Sequence, residues 1–153
     1  MTAHFAIEPS YAENKRAQIR QAAEIIGVDE GYLSIMVDEF YARIRADTRL
    51  GPIFETEIGD DWGPHLKVMK RFWASVALNA GAYSGKPVAV HRRIGGVEHD
   101  DFDRWLALFH ATLKDTARTP EAINYLMFRA ERIAQSLRMA MFDCDETGVP
   151  SLG

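Results

Sequence analysis

Apolar residues in this chain recur at the spacing of α-helices and almost never alternate as they would in β-strands. Helices are predicted over residues 10–27, from residue 29 to a break at residues 50–54, from residue 60 or 61 to about 79, from about 98 to 117, and from 120 to about 141. There is no internal repeat and no low-complexity tract. The pattern predicts an all-α fold.

Capping residues stand at several of the predicted helix starts. Ser10 and Asp29 precede apolar periodic segments, and both residue types accept hydrogen bonds from the first free backbone N–H groups of a helix. Thr119 precedes a proline, which is tolerated at the first helical position. Gly27 is expected to end the first helix.

Composition narrows the class of protein. A length of 153 residues corresponds to one domain, and 47% apolar with 26% charged residues is typical of a globular chain. A net charge of −4 argues against a nucleic-acid partner. Cys144 stands alone, which excludes an intrachain disulfide and a cysteine-rich zinc site. Neither a secretion signal nor an apolar run of membrane-spanning length is apparent, so no membrane association and a cytoplasmic location are expected.

Two histidines stand out by position. On the third predicted helix, His65 shares one face with Met69, Phe72 and Val76, which directs its imidazole inward. From this helix alone, a core histidine bonded to a backbone carbonyl is the ordinary explanation of that pattern. His91 ends a short apolar connector, where it is either a metal ligand held close to the scaffold or an exposed loop histidine.

The other candidates are aromatic residues with polar tips. Tyr41 lies with Val37 and Ile44 on one helix face, and Trp105 lies with Phe102 and Phe109 on another. Ordinary core packing accounts for both positions, but a buried O–H or N–H group normally needs a hydrogen-bond partner. None of the five histidines shows the i, i+4 pairing of a helical zinc site, which argues against a metal held by several side chains. The sequence still allows a metal that is carried by a macrocycle, because such a metal needs only one histidine ligand.

In order and spacing, a set of short motifs resembles the group III truncated haemoglobins, a bacterial branch of the globin superfamily. The resemblance runs from about Asp29 to Phe142. It is carried by Phe40-Tyr41-Ala42-Arg43-Ile44-Arg45, Leu50-Gly51-Pro52-Ile53-Phe54, Ile58-Gly59, Trp62, His65, Phe72-Trp73, Tyr83, Gly85, Pro87, His91, the run from Phe102 to Phe109, and the run from Arg129 to Ala134.

This resemblance implies a truncated globin-like helical sandwich around haem b (iron protoporphyrin IX), with an additional N-terminal helix. His91 falls on the family's proximal iron ligand, and Tyr41 and Trp105 fall on distal residues that donate hydrogen bonds to a diatomic ligand. His65 matches the distal histidine, which gates the pocket or touches the ligand. A further hypothesis is that His65 itself coordinates the iron in the resting state.

The resemblance also implies residues that contact the cofactor. Phe54 matches the aromatic residue that packs on the haem plane, and Phe72 and Trp73 match apolar walls of the cavity. Met69, on the same face as His65, is a further candidate for haem contact. The chain departs from the family after His91, where two arginines and two glycines replace a linker rich in leucine and proline. Arg92 is the candidate to pair with a haem propionate.

A second departure is the segment before the globin-like region. The expected organisation is an N-terminal extension over residues 1–28, a truncated globin domain over 29–142 and a polar tail over 143–153. The extension is interpreted as an extra helix that packs on the globin, contacts a second copy or covers a regulatory site. Both a monomer and a homodimer are compatible with it.

The expected function is reversible binding of O2, NO and CO at a histidine-ligated haem iron. NO detoxification or peroxidase-like turnover, with an unidentified reductase, is a variant of this hypothesis, so whether the protein is an enzyme is left open. The alternative from another class is a sensory or interaction module that keeps the globin scaffold with weak or no haem binding. The altered linker after His91 and the N-terminal helix motivate that alternative.

Overall fold

The computed structural model describes residues 10–78 and 97–142, and every regular element in those ranges is an α-helix. The six helices are α1 (Tyr11–Ile25), α2 (Glu30–Ala46), α3 (Leu50–Ile58), α4 (Trp62–Leu78), α5 (His99–Thr116) and α6 (Pro120–Phe142). The all-α prediction is confirmed.

Three helix starts are fixed by the capping residues that the sequence predicts. The side chains of Ser10, Asp29 and Thr119 each accept a hydrogen bond from the backbone N–H three residues further on, at 3.1, 2.8 and 3.1 Å. Such caps depend on a few neighbouring residues, which is why the sequence identifies them. Gly27 follows α1 with a φ of 93°, a left-handed conformation that favours glycine.

Helix α2 ends at Ala46, before the predicted break at residues 50–54, but the segment itself is not a break because it begins helix α3. Proline is compatible with the first turn of a helix, where its missing N–H group has no partner to lose. The Asp47 carboxylate accepts hydrogen bonds from the backbone N–H groups of Arg49 and Leu50, at 3.1 and 2.8 Å. Gly51 lies so close to α2 that a Cβ atom there would meet the Arg45 carbonyl oxygen at 2.7 Å. The segment that contains Gly51 and Pro52 therefore forms a short helix that packs tightly against α2.

Helices α2, α4, α5 and α6 form two layers. Helix α2 contacts α4, α5 contacts α6, and the contacts of α2 with α5 and of α4 with α6 join the two pairs. Helix α3 packs against α2 at one end. The four largest fully buried side chains of the described residues are Trp73, Tyr32, Phe40 and Phe109, which come from α2, α4 and α5. The space between the layers is where a cavity forms.

Helix α1 packs against α4, and Ala23 is its one buried residue. The side chains from Tyr11 to Gln18 are not at this interface, because that half of the helix is exposed. Among the helices of residues 10–78 and 97–142, none combines the length and the hydropathy needed to cross a bilayer.

Candidate functional site

A cavity of about 320 Å³ lies between the two helix layers. This volume is at the lower end of the range for pockets that hold cofactor-sized ligands, about 300–1,000 Å³. Helices α2, α3, α4, α5 and α6 all contribute to its wall. The lining residues are Tyr41, Leu50, Ile53, Phe54, His65, Val68, Met69, Phe72, Trp73, Val97, Asp101, Phe102, Trp105, Ile133, Ala134, Leu137 and Met141.

The structure brings seven of the candidate residues from the sequence to this one cavity. They are Tyr41, Phe54, His65, Met69, Phe72, Trp73 and Trp105, and they come from four different helices. The candidate proximal ligand His91 and its neighbour Arg92 lie outside the described residues. Their common location at one cavity supports a shared role in binding a ligand there.

Tyr41 places a neutral hydroxyl group at the cavity wall. Its side chain is 4% exposed, and burial raises the pKa of the phenol well above its ordinary value. The group is therefore an O–H donor throughout the physiological range. No hydrogen bond joins it to any residue in 10–78 or 97–142. The ring meets those of Phe54 and His65 edge to face, at centroid distances of 6.1 and 5.4 Å.

Trp105 supplies a second neutral donor from the opposite layer. It is half-buried on α5 and lines the cavity. In the part of the chain that the structure describes, its indole N–H has no hydrogen-bond partner. Its ring packs against Phe40 and stacks on Phe109, at centroid distances of 5.3 and 5.9 Å. A donor without a protein acceptor is available to a molecule in the cavity.

His65 lies next to Tyr41 and is backed by Trp62. The ring centroids of His65 and Trp62 are 5.9 Å apart at an interplanar angle of 89°. Two contacts fix the position of the Trp62 ring. Its indole N–H donates to Glu55 Oε1 at 3.0 Å, and the Arg45 guanidinium lies 4.4 Å from the ring centroid. This cluster fixes one side of the cavity around Tyr41.

One edge of the cavity carries a buried carboxylate. Asp101 is 6% exposed and makes a bidentate ion pair with Arg49, with both N–O distances at 2.8 Å. It also accepts the backbone N–H of Glu98 at 2.8 Å, which caps α5. The hydrogen bonds from Arg49 are the main cause that holds the pKa of Asp101 below its ordinary value. Asp101 therefore joins the start of α3 to the start of α5 beside the cavity.

Replacing Asp101 with asparagine is expected to lower the urea midpoint of unfolding at pH 7. A carboxylate whose pKa is lowered by folding stabilises the protein above its ordinary pKa, and that contribution is lost as the pH falls through the lowered value. The difference from the wild-type midpoint should therefore shrink below about pH 4. Asp103→Asn is the matched control, because Asp103 pairs with Arg138 from the same helix as Asp101 but its side chain is 70% exposed. Equal midpoints for wild type and Asp101→Asn at pH 7 would refute this role.

The sequence reasoning missed several wall residues of the cavity. Ile133, Ala134, Leu137 and Met141 lie on the periodic face of α6, which the sequence pattern presents as ordinary core. Helical periodicity identifies an inward face but does not separate packed core from the wall of a cavity. Asp101 had one available signal, since an acid three residues after Glu98 is the spacing of a capping box.

Comparisons with known proteins agree with this architecture. No protein-family model matches the chain. A curated relative, Group 3 truncated hemoglobin ctb from Campylobacter jejuni, is 29% identical over 118 residues, which is 75% of this chain and 92% of the relative. The crystal structure of group III truncated hemoglobin from Campylobacter jejuni superposes with a TM-score of 0.71 at 29% identity and covers the same shares of the two chains.

The two-layer helical fold, with an aromatic cavity between the layers, is thus a truncated globin-like fold. The predicted fold class, including the additional N-terminal helix, is confirmed. Among truncated globins, the chain is similar to group III truncated hemoglobin, as its ordered motifs indicated.

Proposed function

We propose that this protein binds haem b in the cavity between its helix layers and reversibly binds O2, NO and CO there. The observation that supports this most strongly is the convergence of seven candidate residues on one cavity. The likeness to proteins named as truncated haemoglobins supports the same proposal independently of the cavity.

The described residues fit a haem. The lining is apolar and aromatic apart from the tips of a few side chains, and this is the environment that a porphyrin requires. Phe54, Met69 and Phe72 supply apolar contacts from α3 and α4, and Trp73 adds a buried wall. The Tyr41 hydroxyl and the Trp105 indole are donors at the cavity that have no acceptor in the described part of the chain.

A haem in this cavity would supply an iron that needs one protein ligand to hold it and that binds small molecules. We propose His91 as that ligand, on the strength of its place in the family motif. Arg92 is proposed to pair with a propionate, since guanidinium and carboxylate groups form strong bidentate pairs.

Tyr41 and Trp105 act on the diatomic ligand. A haem held there would supply the binding site for a diatomic ligand, and the neutral O–H of Tyr41 and N–H of Trp105 would donate to the negative charge that such a ligand gains. Burial strengthens such hydrogen bonds because little water competes for the donors. The raised pKa of Tyr41 keeps its proton on the hydroxyl group, where it can be donated. The pocket therefore favours polar ligands such as O2.

His65 is proposed to gate the pocket. Its ring lies 5.4 Å from that of Tyr41 by centroid distance, at an interplanar angle of 83°. A rotation of the imidazole would therefore alter access to the Tyr41 hydroxyl without moving a helix. Redox turnover of NO or peroxide needs an external reductase, and reversible binding is the activity that the donors alone support.

Titration of the purified protein with haemin tests the proposal. We expect a Soret band that saturates at one haem per chain and shifts when the reduced protein is exposed to CO. Trp73 and Trp105 line the cavity, so their fluorescence should be quenched over the same titration. Failure to develop a Soret band with added haemin would refute the proposal and favour the interaction module without haem.

A further inference from the structure

A layer of buried aromatic rings packs against the side chains of Tyr41 and Trp105. Phe109 is fully buried on α5 and does not line the cavity. Its ring lies between those of Trp73 and Trp105, at centroid distances of 5.0 and 5.9 Å and interplanar angles of 15° and 9°. The three rings therefore form one continuous stack that joins α4 to α5.

Phe40 completes this layer from α2. It is also fully buried and outside the cavity lining. It meets the rings of Phe109 and Trp105 edge on, at centroid distances of 4.9 and 5.3 Å. It also contacts the ring of Tyr41 at 5.3 Å. Phe40 thus contacts the rings of both Tyr41 and Trp105 without lining the cavity.

Packing must orient these donors, because hydrogen bonds to the described residues do not. The Tyr41 hydroxyl and the Trp105 indole have no such bonds within residues 10–78 and 97–142. A hydrogen bond weakens steeply when its angle departs from linearity, so a free indole that rotates would lose its bond to the ligand. Stacked and edge-to-face ring contacts restrict that rotation.

We infer that Phe109 and Phe40 are positioning residues that hold the Trp105 indole and the Tyr41 phenol in a single orientation toward the bound diatomic ligand. The inference rests on the proposed haem function. In this proposal, the orientation of the two donors is set by side chains that do not line the cavity. Trp73 serves as the outer support of the stack as well as a wall of the cavity.

The test compares Phe109→Leu with wild type in the haem-loaded protein under CO. The wild type is expected to show one narrow C–O stretching band, because the donors have one orientation. Phe109→Leu should broaden or split that band and accelerate O2 dissociation, by a factor on the order of ten. Phe109→Tyr keeps the ring and should retain a single band. Near-UV circular dichroism of the Phe109→Leu variant without haem should lose intensity from the stacked tryptophans.

Leu113→Ala is the matched control. Leu113 is fully buried one helical turn after Phe109 and does not line the cavity. Its replacement leaves a cavity in the core and lowers stability without removing a ring from the stack. The control should therefore keep the wild-type band. Phe40→Leu provides a second test of the layer if Phe109→Leu does not fold.

The outcomes separate the two proposals. A wild-type protein that forms no CO complex with haem overturns both the proposed function and the positioning role. A wild-type complex with the same band and O2 dissociation rate as Phe109→Leu overturns only the positioning role. A Leu113→Ala band as broad as that of Phe109→Leu also overturns it, because general loosening of the core would then explain the effect.

Discussion

Replacing His91 with alanine is expected to abolish tight haem retention. If this imidazole is the one protein ligand of the iron, its removal leaves the porphyrin held only by apolar contacts. Even loss of residues that merely support a metal ligand costs 10–100-fold in affinity, so transfer of haem to an acceptor apoprotein should accelerate by at least about 100-fold. Transfer kinetics, followed at the Soret band, measure this directly.

Controls make the His91 result specific. Added imidazole should restore the spectrum of a histidine-ligated haem to His91→Ala, because it supplies the missing ligand. His110→Ala, which removes an exposed histidine of α5, should leave haem transfer unchanged. Unaltered haem retention in His91→Ala would show that another residue holds the iron. The assignment of His91 as the iron ligand would then be wrong.

The second large effect is expected from Tyr41→Phe. This change removes one hydroxyl group from the cavity and leaves the ring contacts with Phe54 and His65 in place. Hydrogen bonds that involve a charged partner contribute about 1.5–3 kcal/mol, so O2 should dissociate about 10- to 100-fold faster. Stopped-flow displacement of O2 by CO measures the rate.

Tyr32→Phe is the matched control for this experiment. Tyr32 is also a buried tyrosine of α2, but its hydroxyl bonds to Thr116 at 2.8 Å and it does not line the cavity. Tyr32→Phe should lower stability and leave O2 dissociation within about twofold of wild type. If Tyr41→Phe behaves in the same way, then the Tyr41 hydroxyl does not contact the ligand.

Local signals in the sequence predicted most of the fold. Ser10, Asp29 and Thr119 cap helices where they were expected, because a cap depends on a few adjacent residues. Helix α3 was missed because Gly51 and Pro52 are typical of a break. Its formation depends on the Asp47 carboxylate and on close contact with α2, which are not evident in a short window of sequence.

The site was only partly accessible from helical periodicity. The face of α4 that carries His65, Met69 and Phe72 was correctly expected to point inward. Periodicity alone left it open whether that face packs as core or lines a cavity, and the family motifs favoured the cavity. The contributions of Ala134 and Leu137 could not be foreseen, because they depend on how α5 and α6 pair with the other layer.

The layer of Phe40 and Phe109 shows a further limit of sequence reasoning. Both residues lie on predicted apolar faces and look like any other core phenylalanine. Their significance comes from the rings they contact on three helices, at centroid distances near 5 Å. Contacts between residues more than thirty positions apart follow from tertiary packing rather than from local pattern.

A crystal structure of the haem-loaded protein tests the central claim most directly. We predict that the porphyrin occupies the cavity lined by Tyr41 and Trp105, and that the His91 imidazole binds its iron. Haem found outside this cavity, or an iron in the cavity with the His91 side chain turned to solvent, would contradict the account.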